Sequence, residues 1–129
     1  MQVIKSSKDL ESRLTKFSIN VFKLYKQLPK TTENIIYGRQ VVRSSSSVGA
    51  NYMEATCAHT RLDFLHGLNL SRKESKETHY WLVLILEANP QLKESINPLL
   101  DECGQILRIF TSSVKTTKEN VKLKSTLKS

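Results

Sequence analysis

The chain has 129 residues, a length that suits a single domain and lets it bury enough apolar surface to fold without a disulfide or a structural metal. Its longest apolar run, Trp81 to Leu86, is far too short to span a bilayer, and its N-terminus lacks an export signal, so we expect a cytoplasmic protein. Twenty lysines and arginines against twelve acidic residues give a formal net charge of +8, which favours RNA or DNA as a partner.

The first predicted helix covers about residues 7–27. Apolar side chains recur at intervals of three and four residues from Leu10 to Leu28. Ser6 can cap the first turn, and Pro29 disfavours helical geometry in the residue before it. These signals predict one amphipathic helix with defined ends.

The second predicted helix covers about residues 32–58 and contains the run Ser44 to Ser47, followed by Gly49. Four serines and a glycine have low helix propensity, so the residues by themselves leave two interpretations open. One is a linker that divides the segment. The other is a continuous helix whose small side chains let a neighbouring helix approach closely.

The third predicted helix covers about residues 61–87 and is apolar at both ends but polar at its centre. Steps of three and four residues from Leu65 predict one buried stripe. Its further members are Leu68, Arg72, Ser75, His79, Leu82 and Leu86. The helix therefore either exposes its centre or uses it for hydrogen-bonded and charged contacts with partner helices.

The fourth predicted helix covers about residues 92–115, although Pro98 behind Asn97 offers a second start. Residues 116–129 are rich in lysine and contain little core material, so we expect a solvated basic tail there. Short connectors make sequential helices neighbours. The sequence therefore predicts an all-α, antiparallel up-down-up-down four-helix bundle that forms one domain over residues 1–129.

No catalytic, cofactor or metal site is predicted. A di-iron bundle needs two Glu-x-x-His pairs, and the nearest approach here is Asp63 with His66. The serine run lacks the Gly-Lys-Ser end of a phosphate-binding loop. Cys57 and Cys103 stand too far apart in sequence, without other cysteines nearby, to suggest a disulfide framework or a zinc site.

Glu74 and Glu77 lie three residues apart near several cations. Paired carboxylates can act as acid and base when their pKa values differ. The interpretation that we favour is a charge network with Arg43 and Arg72 that fixes the register of the bundle. An enzyme that uses these two glutamates together with Glu54 is the weaker alternative.

The motifs Asn51-Tyr52-x-Glu54-Ala55 and Lys73-Glu74-x-x-Glu77-Thr78-x-Tyr80-Trp81, together with Arg43, Gly49, Asp63 and Phe64, carry a family resemblance. The chain resembles the four-helix bundle proteins first noticed as open reading frames inside intervening sequences of bacterial 23S ribosomal RNA genes. The resemblance covers residues 10 to about 115. It favours a continuous helix across the serine run.

The resemblance implies a non-enzymatic protein that assembles into a cyclic pentamer. It also implies a distant relationship to the accessory subunit of diversity-generating retroelements, a basic pentamer that binds nucleic acid and a reverse transcriptase. Carried over to this chain, it marks a polar network. The members of that network are Arg43, Asn51, Glu54, Lys73, Glu74, Glu77 and Trp81. Met53 departs from the family, in which a basic residue is common, and this weakens the case for a nucleic-acid contact there.

Two functional hypotheses follow. The first is an oligomeric protein that associates with RNA or DNA through basic side chains spread over the chain. The candidate contacts are Lys16, Lys23, Arg39, Arg61 and Arg108. The second is a structural or protein-interaction module whose basic surface has no nucleic-acid role, since the chain lacks the aromatic-rich basic strands of RNA-recognition sheets.

Overall fold

Four helices account for nearly all of the chain in the computed structural model, which describes the backbone of residues 6–128 and the side chains of residues 6–124. They are α1 (Ser7–Gln27), α2 (Thr32–Thr56), α3 (Arg61–Ala88) and α4 (Lys93–Lys128), with a 3-10 turn at Pro90–Leu92. No strand occurs within residues 6–128. The predicted all-α class is confirmed, and the first three helices end within two residues of their predicted limits.

Hydroxyl side chains fix the starts of α1, α2 and α3. The Oγ atoms of Ser6, Thr31 and Thr60 each accept a hydrogen bond from the backbone N–H three residues later, at 3.1–3.2 Å. Such caps satisfy one of the four backbone donors that a helix start leaves without a partner. The local sequence therefore sets these boundaries.

The helices form a square in which each one contacts its neighbours in sequence and α1 also contacts α4. The backbones of the diagonal pairs, α1 with α3 and α2 with α4, do not approach each other closely among the described residues, although the Tyr52 ring of α2 meets the Phe110 ring of α4 edge to face across the core. All four helices contribute to one core, for example through Leu14, Val41, Leu82 and Phe110. Short connections between neighbours give the antiparallel up-down-up-down arrangement that the sequence predicted.

The most extensive contact between two helices is that of α2 with α3. Small residues on both helices allow the close approach. The serine run lies within α2, and Ser44 is buried. The hydroxyl oxygens of Thr78 and Ser44 share a hydrogen bond at 2.8 Å, and the Ser71 hydroxyl donates to the Val48 carbonyl oxygen at 2.9 Å. Hydrogen bonds between a hydroxyl of one helix and the polar atoms of the next require close approach. The interpretation of the run as a closely packed helix is confirmed.

The buried stripe of α3 differs from the prediction. Its buried members are Leu68, Ser71, Ser75, Thr78, Leu82 and Ile85. Arg72 and His79 are half-buried at its edge. Ser75 is buried as predicted, but Ser71 and Thr78 take the inward positions expected of Arg72 and His79, because small hydroxyl side chains can be buried when the backbone satisfies them. Ser75 and Thr78 donate to the carbonyl oxygens four residues earlier, both at 2.8 Å.

The fourth helix is longer than predicted. It begins at Lys93, keeps Pro98 inside, and continues to Lys128, so the expected solvated tail from residue 116 is helical through residue 128. Thr117 is buried and Val121 half-buried, which extends the inward-facing stripe beyond Val114. Residues 116–128 also contain no glycine or proline to end the helix. Within the described residues, no helix combines the length and the apolar character needed to cross a membrane.

Candidate functional site

The five basic residues predicted to contact nucleic acid are all exposed but lie on different helices. Lys16 and Lys23 are on α1, Arg39 on α2, Arg61 at the start of α3, and Arg108 on α4. None of them forms an ion pair with a carboxylate in the part of the chain that the structure describes. They form a dispersed set of cations around the bundle and not one patch.

A groove between α3 and α4 does bring cations together. Arg72 from α3 and Lys115 and Lys118 from α4 line it, with Leu65 and Val114 as apolar neighbours. We call these three cations and the two apolar residues the α3–α4 groove. Sequence reasoning missed it, because Arg72 was assigned to the glutamate network and Lys118 to a solvated tail. The three-residue spacing of Lys115 and Lys118 was the available signal, once the helix was known to continue.

Arg72 interacts with its own helix and not with the glutamates. Its Nε donates to the Asn69 Oδ1 at 2.9 Å. Neither Glu74 nor Glu77 lies within salt-bridge distance of its guanidinium. The predicted membership of Arg72 in the charge network is therefore wrong, since residues five positions apart on a helix point in different directions.

Arg43 does bridge α2 to the two glutamates of α3. Its Nη1 lies 3.3 Å from a Glu74 carboxylate oxygen, and its Nη2 donates to Glu77. The Gln40 Oε1 accepts from the Arg43 Nε at 3.0 Å and orients the guanidinium. The side chains of Arg43 and Glu77 are 45% and 38% exposed, and that of Glu74 is 24% exposed. This charge cluster lies on the surface, so water screens it.

The charge cluster moves the pKa values of the two carboxyl groups in opposite directions. Partial burial, aided by the neighbouring Glu77 carboxylate, raises the pKa of Glu74 above its ordinary value. Burial opposes ionisation of Glu77 too, but hydrogen bonds from Arg43 and from Glu74 outweigh it and lower the pKa of Glu77. The Arg43 pKa is raised, chiefly by its hydrogen bond to Glu77. At neutral pH the arginine therefore compensates Glu77 better than Glu74.

Aromatic rings continue this surface along α2 and α3. The Trp81 ring stacks on Tyr37 at a centroid distance of 6.1 Å and meets the Tyr80 ring edge to face at 5.3 Å. Tyr80 is 57% exposed. The Trp81 Nε1 is buried near Glu77, helps to lower its pKa, and has no hydrogen bond of normal geometry. We call Tyr37, Tyr80 and Trp81 the aromatic cluster.

Three other members of the predicted polar network lie outside the charge cluster. Asn51 donates from its Nδ2 to the Ser47 carbonyl oxygen of its own helix at 2.8 Å. The side chains of Glu54 and Lys73 are exposed and form no hydrogen bond or ion pair among the described residues. The structure therefore joins Arg43, Glu74, Glu77 and Trp81 and separates the rest. Glu54 is not placed with the two glutamates that the enzyme alternative required.

A second arginine connects α1 to α4. The Arg13 guanidinium donates from Nε and Nη2 to the two carboxylate oxygens of Glu102, at 2.8 and 2.6 Å, and from Nη2 to the Gln105 Oε1 at 2.9 Å. Its side chain is only 10% exposed. The hydrogen bond to Glu102 raises the Arg13 pKa despite burial. Sequence reasoning missed this pair, because its members lie 89 residues apart in sequence.

The remaining reactive side chains are separated from one another. Asp63 and His66 are exposed at the start of α3, and residues 6–124 contain no group of three or more histidines, cysteines or acidic residues arranged to hold a metal ion. Cys57 is exposed at the end of α2, whereas Cys103 is fully buried. Burial raises the pKa of Cys103 to about 12.

Comparisons with known proteins agree with this geometry. A crystal structure of a protein of unknown function from the S23 ribosomal protein family of Bacteroides thetaiotaomicron VPI-5482 has 30% sequence identity and a TM-score of 0.74. The match covers 81% of this chain and 97% of that one. No curated protein matches the chain. The family model described as 23S rRNA-intervening sequence protein matches residues 8–112, most of the chain, and the chain therefore belongs to that family.

Proposed function

We propose that this protein is a non-enzymatic homo-oligomer that associates with RNA or DNA through its basic surface. The observation that carries the proposal is that many basic side chains of this surface have no carboxylate partner. Ion pairs with carboxylates engage Arg13 and Arg43, whereas the five dispersed cations defined above and the three cations of the α3–α4 groove form none within the described residues. Cations without carboxylate partners are free to replace counterions around phosphates.

Exposed apolar and aromatic side chains support self-association. Ile36 on α2 and Leu70, Tyr80 and Val83 on α3 are each more than two-fifths exposed. Burial of such side chains in a subunit interface is favourable by about 25 cal/mol per Å². A second copy that covered the α2–α3 surface would also desolvate the charge cluster, and charged pairs at an interface specify its register. A ring of five subunits is the assembly that the family resemblance favours.

Oligomerisation would strengthen weak contacts with a polyanion. A ring repeats each basic face, so individually weak phosphate contacts add, and avidity exceeds the affinity of one subunit. This arrangement suits binding that is weakly sequence-selective. It needs no base-reading element.

Two measurements on the purified protein test the proposal. Sedimentation at micromolar concentration should give a mass several times the 14.7 kDa of one chain. Fluorescence anisotropy with a structured RNA and a DNA duplex should show affinity that falls steeply between about 50 and 200 mM salt. Arg39→Glu combined with Arg61→Glu should weaken binding to every sequence while helical content and mass stay constant.

The two parts of the proposal fail separately. A strictly monomeric species contradicts the oligomer. Absence of binding at about 50 mM salt, or an affinity indifferent to salt, contradicts the nucleic-acid role. It leaves the protein-interaction module, for which the surface around Tyr80 in the aromatic cluster is the candidate docking site.

A further inference from the structure

The α3–α4 groove differs from the rest of the basic surface because its cations converge. Arg72, Lys115 and Lys118 line one depression, and no carboxylate lines it with them. Elsewhere the exposed cations are spread over four helices. Residues 103–128 of α4 carry six basic side chains and one acidic one, Glu119, which does not line the groove. Positive potential therefore accumulates on this side of the bundle.

Arg72 is held in an orientation that leaves a donor edge open. Its Nε is occupied by the Asn69 Oδ1, which fixes the guanidinium plane. Its two terminal nitrogens form no hydrogen bond within the described residues. A planar guanidinium with two free parallel donors matches two oxygens of one phosphate group. Because the side chain is half-buried and already oriented, it loses little conformational freedom on binding.

Two lysines of α4 place further positive charges beside the Arg72 guanidinium. Lys115 and Lys118 lie one helical turn apart, with Cβ atoms about 5–6 Å from each other. The helix then continues past the level of Ser6 and Ser7, which share a depression with Thr117. From Thr111 to Lys124 it covers about 20 Å of axis, at about 1.5 Å per residue. That length matches about six phosphates of one duplex strand.

We propose that the α3–α4 groove binds the sugar-phosphate backbone of a nucleic acid, with Arg72 holding one phosphate and Lys115 and Lys118 its neighbours along the strand. The inference rests on the proposed function and assigns its principal contact site. Its shape favours a linear polyanion over an anionic membrane. A membrane-binding helix projects apolar side chains beside its cations, whereas Leu65 and Val114 are half-buried here between two helices.

The test compares two double charge reversals in the full chain. Lys115→Glu with Lys118→Glu alters the groove, and Lys8→Glu with Lys30→Glu makes the same change in net charge near the two ends of α1, at exposed residues outside the set of candidate contacts. Anisotropy is measured over a salt series with an RNA hairpin, a DNA duplex of the same sequence and single-stranded RNA. The groove variant should lose affinity at least about tenfold and reduce the salt slope by about two, one for each lost phosphate contact. The α1 variant should keep the wild-type slope.

Arg72→Lys is the sharper probe, because it preserves charge and removes the fork. If the Arg72 guanidinium holds a phosphate with two hydrogen bonds, this variant should lower the affinity at least about threefold. If Arg72 attracts the polyanion only through its charge, the affinity should not change. Circular dichroism and sedimentation of each variant report fold and mass. The inference fails if both double variants weaken binding equally, or if Arg72→Lys binds as wild type; in either case the proposed function stands. If the wild-type protein binds none of the probes, the proposed function fails first. Binding to phosphatidylserine vesicles that is lost in the groove variant, with nucleic-acid binding intact, assigns the groove to membranes instead.

Discussion

Replacement of Gly67 by alanine should show that close contact between α2 and α3 requires a residue without a side chain. A Cβ at this position would lie 3.1 Å from the Ala55 Cα and closer still to the Ala55 Cβ, well inside van der Waals contact. These are atoms close to the backbone, so rotation of a flexible side chain cannot relieve the overlap. The two helices must separate, which costs about 1 to 3 kcal/mol.

Gly104→Ala is the matched control, because both glycines lie in helix interiors. A Cβ at Gly104 would meet only the Arg108 Nη1, at 3.7 Å, which is ordinary contact. Glycine to alanine within a helix gains about 1 kcal/mol from propensity alone. The gain is common to both variants. The difference between them therefore isolates the packing cost, and we expect Gly67→Ala to be less stable than Gly104→Ala by about 1 to 3 kcal/mol.

Urea denaturation followed by circular dichroism measures both free energies of unfolding at one protein concentration. Ala55→Gly in the Gly67→Ala background removes the opposing Cβ, so the double variant should be more stable than the sum of the two single effects. If Gly67→Ala stabilises the protein as much as Gly104→Ala does, the close approach of α2 and α3 is not a constraint on this sequence and the argument is wrong.

Two further predictions concern titratable groups. The pKa of Glu77 is lowered in the fold, so this residue stabilises the protein above its ordinary pKa, and that contribution is lost as the pH falls through the folded value. The pKa of Glu74 is raised, so its ionised form destabilises the protein at neutral pH. At pH 7, Glu77→Gln should therefore lower the free energy of unfolding by less than about 1 kcal/mol, and Glu74→Gln should leave it unchanged or raise it. In acid, both variants should be as stable as wild type. A loss near about 3 kcal/mol for Glu77→Gln at pH 7 would show that an interface buries the charge cluster. Cys57 is exposed and should react with a maleimide at neutral pH within minutes. Cys103 is buried, and its pKa is raised to about 12, so it should react only when the protein unfolds. Equal rates for the two thiols in the native protein would contradict the burial of Cys103.

Helix positions could be predicted from this sequence because their signals are local. A hydroxyl cap, a proline and an apolar spacing act within one or two turns, and Ser6 and Pro29 act as the sequence indicated. The rotation of α3 could not be predicted in the same way. Spacing rules count Ser71 and Thr78 as polar, yet hydrogen bonds to backbone and hydroxyl oxygens make both suitable for burial. Such a bond depends on the neighbouring helix, which a single-helix pattern does not contain.

The length of α4 escaped prediction for a related reason. Thr117 is weakly hydrophobic, and its burial depends on contacts made only in the folded bundle. The α3–α4 groove could not be predicted from residue spacing alone. It depends on the continuation of α4 beyond residue 115 and on the rotation of α3 about its axis, which places Arg72 at the edge of the buried stripe. Arg43, Glu74 and Glu77 were grouped in the sequence by their charges and spacing, and the family pattern marked the same residues. Their meeting across two helices is a tertiary fact.

The ion pairs of the described residues leave the cations between α3 and α4 without carboxylate partners. Arginines cross two of the four helix contacts: Arg13 joins α1 to Glu102 of α4, and Arg43 joins α2 to the α3 glutamates. These pairs use carboxylates to hold neighbours in register. Among the described residues no such pair crosses between α3 and α4, although basic side chains line that contact. Core packing already holds these two helices together, and the cations that line the groove have no carboxylate partner among the described residues, so they are available to an external anion.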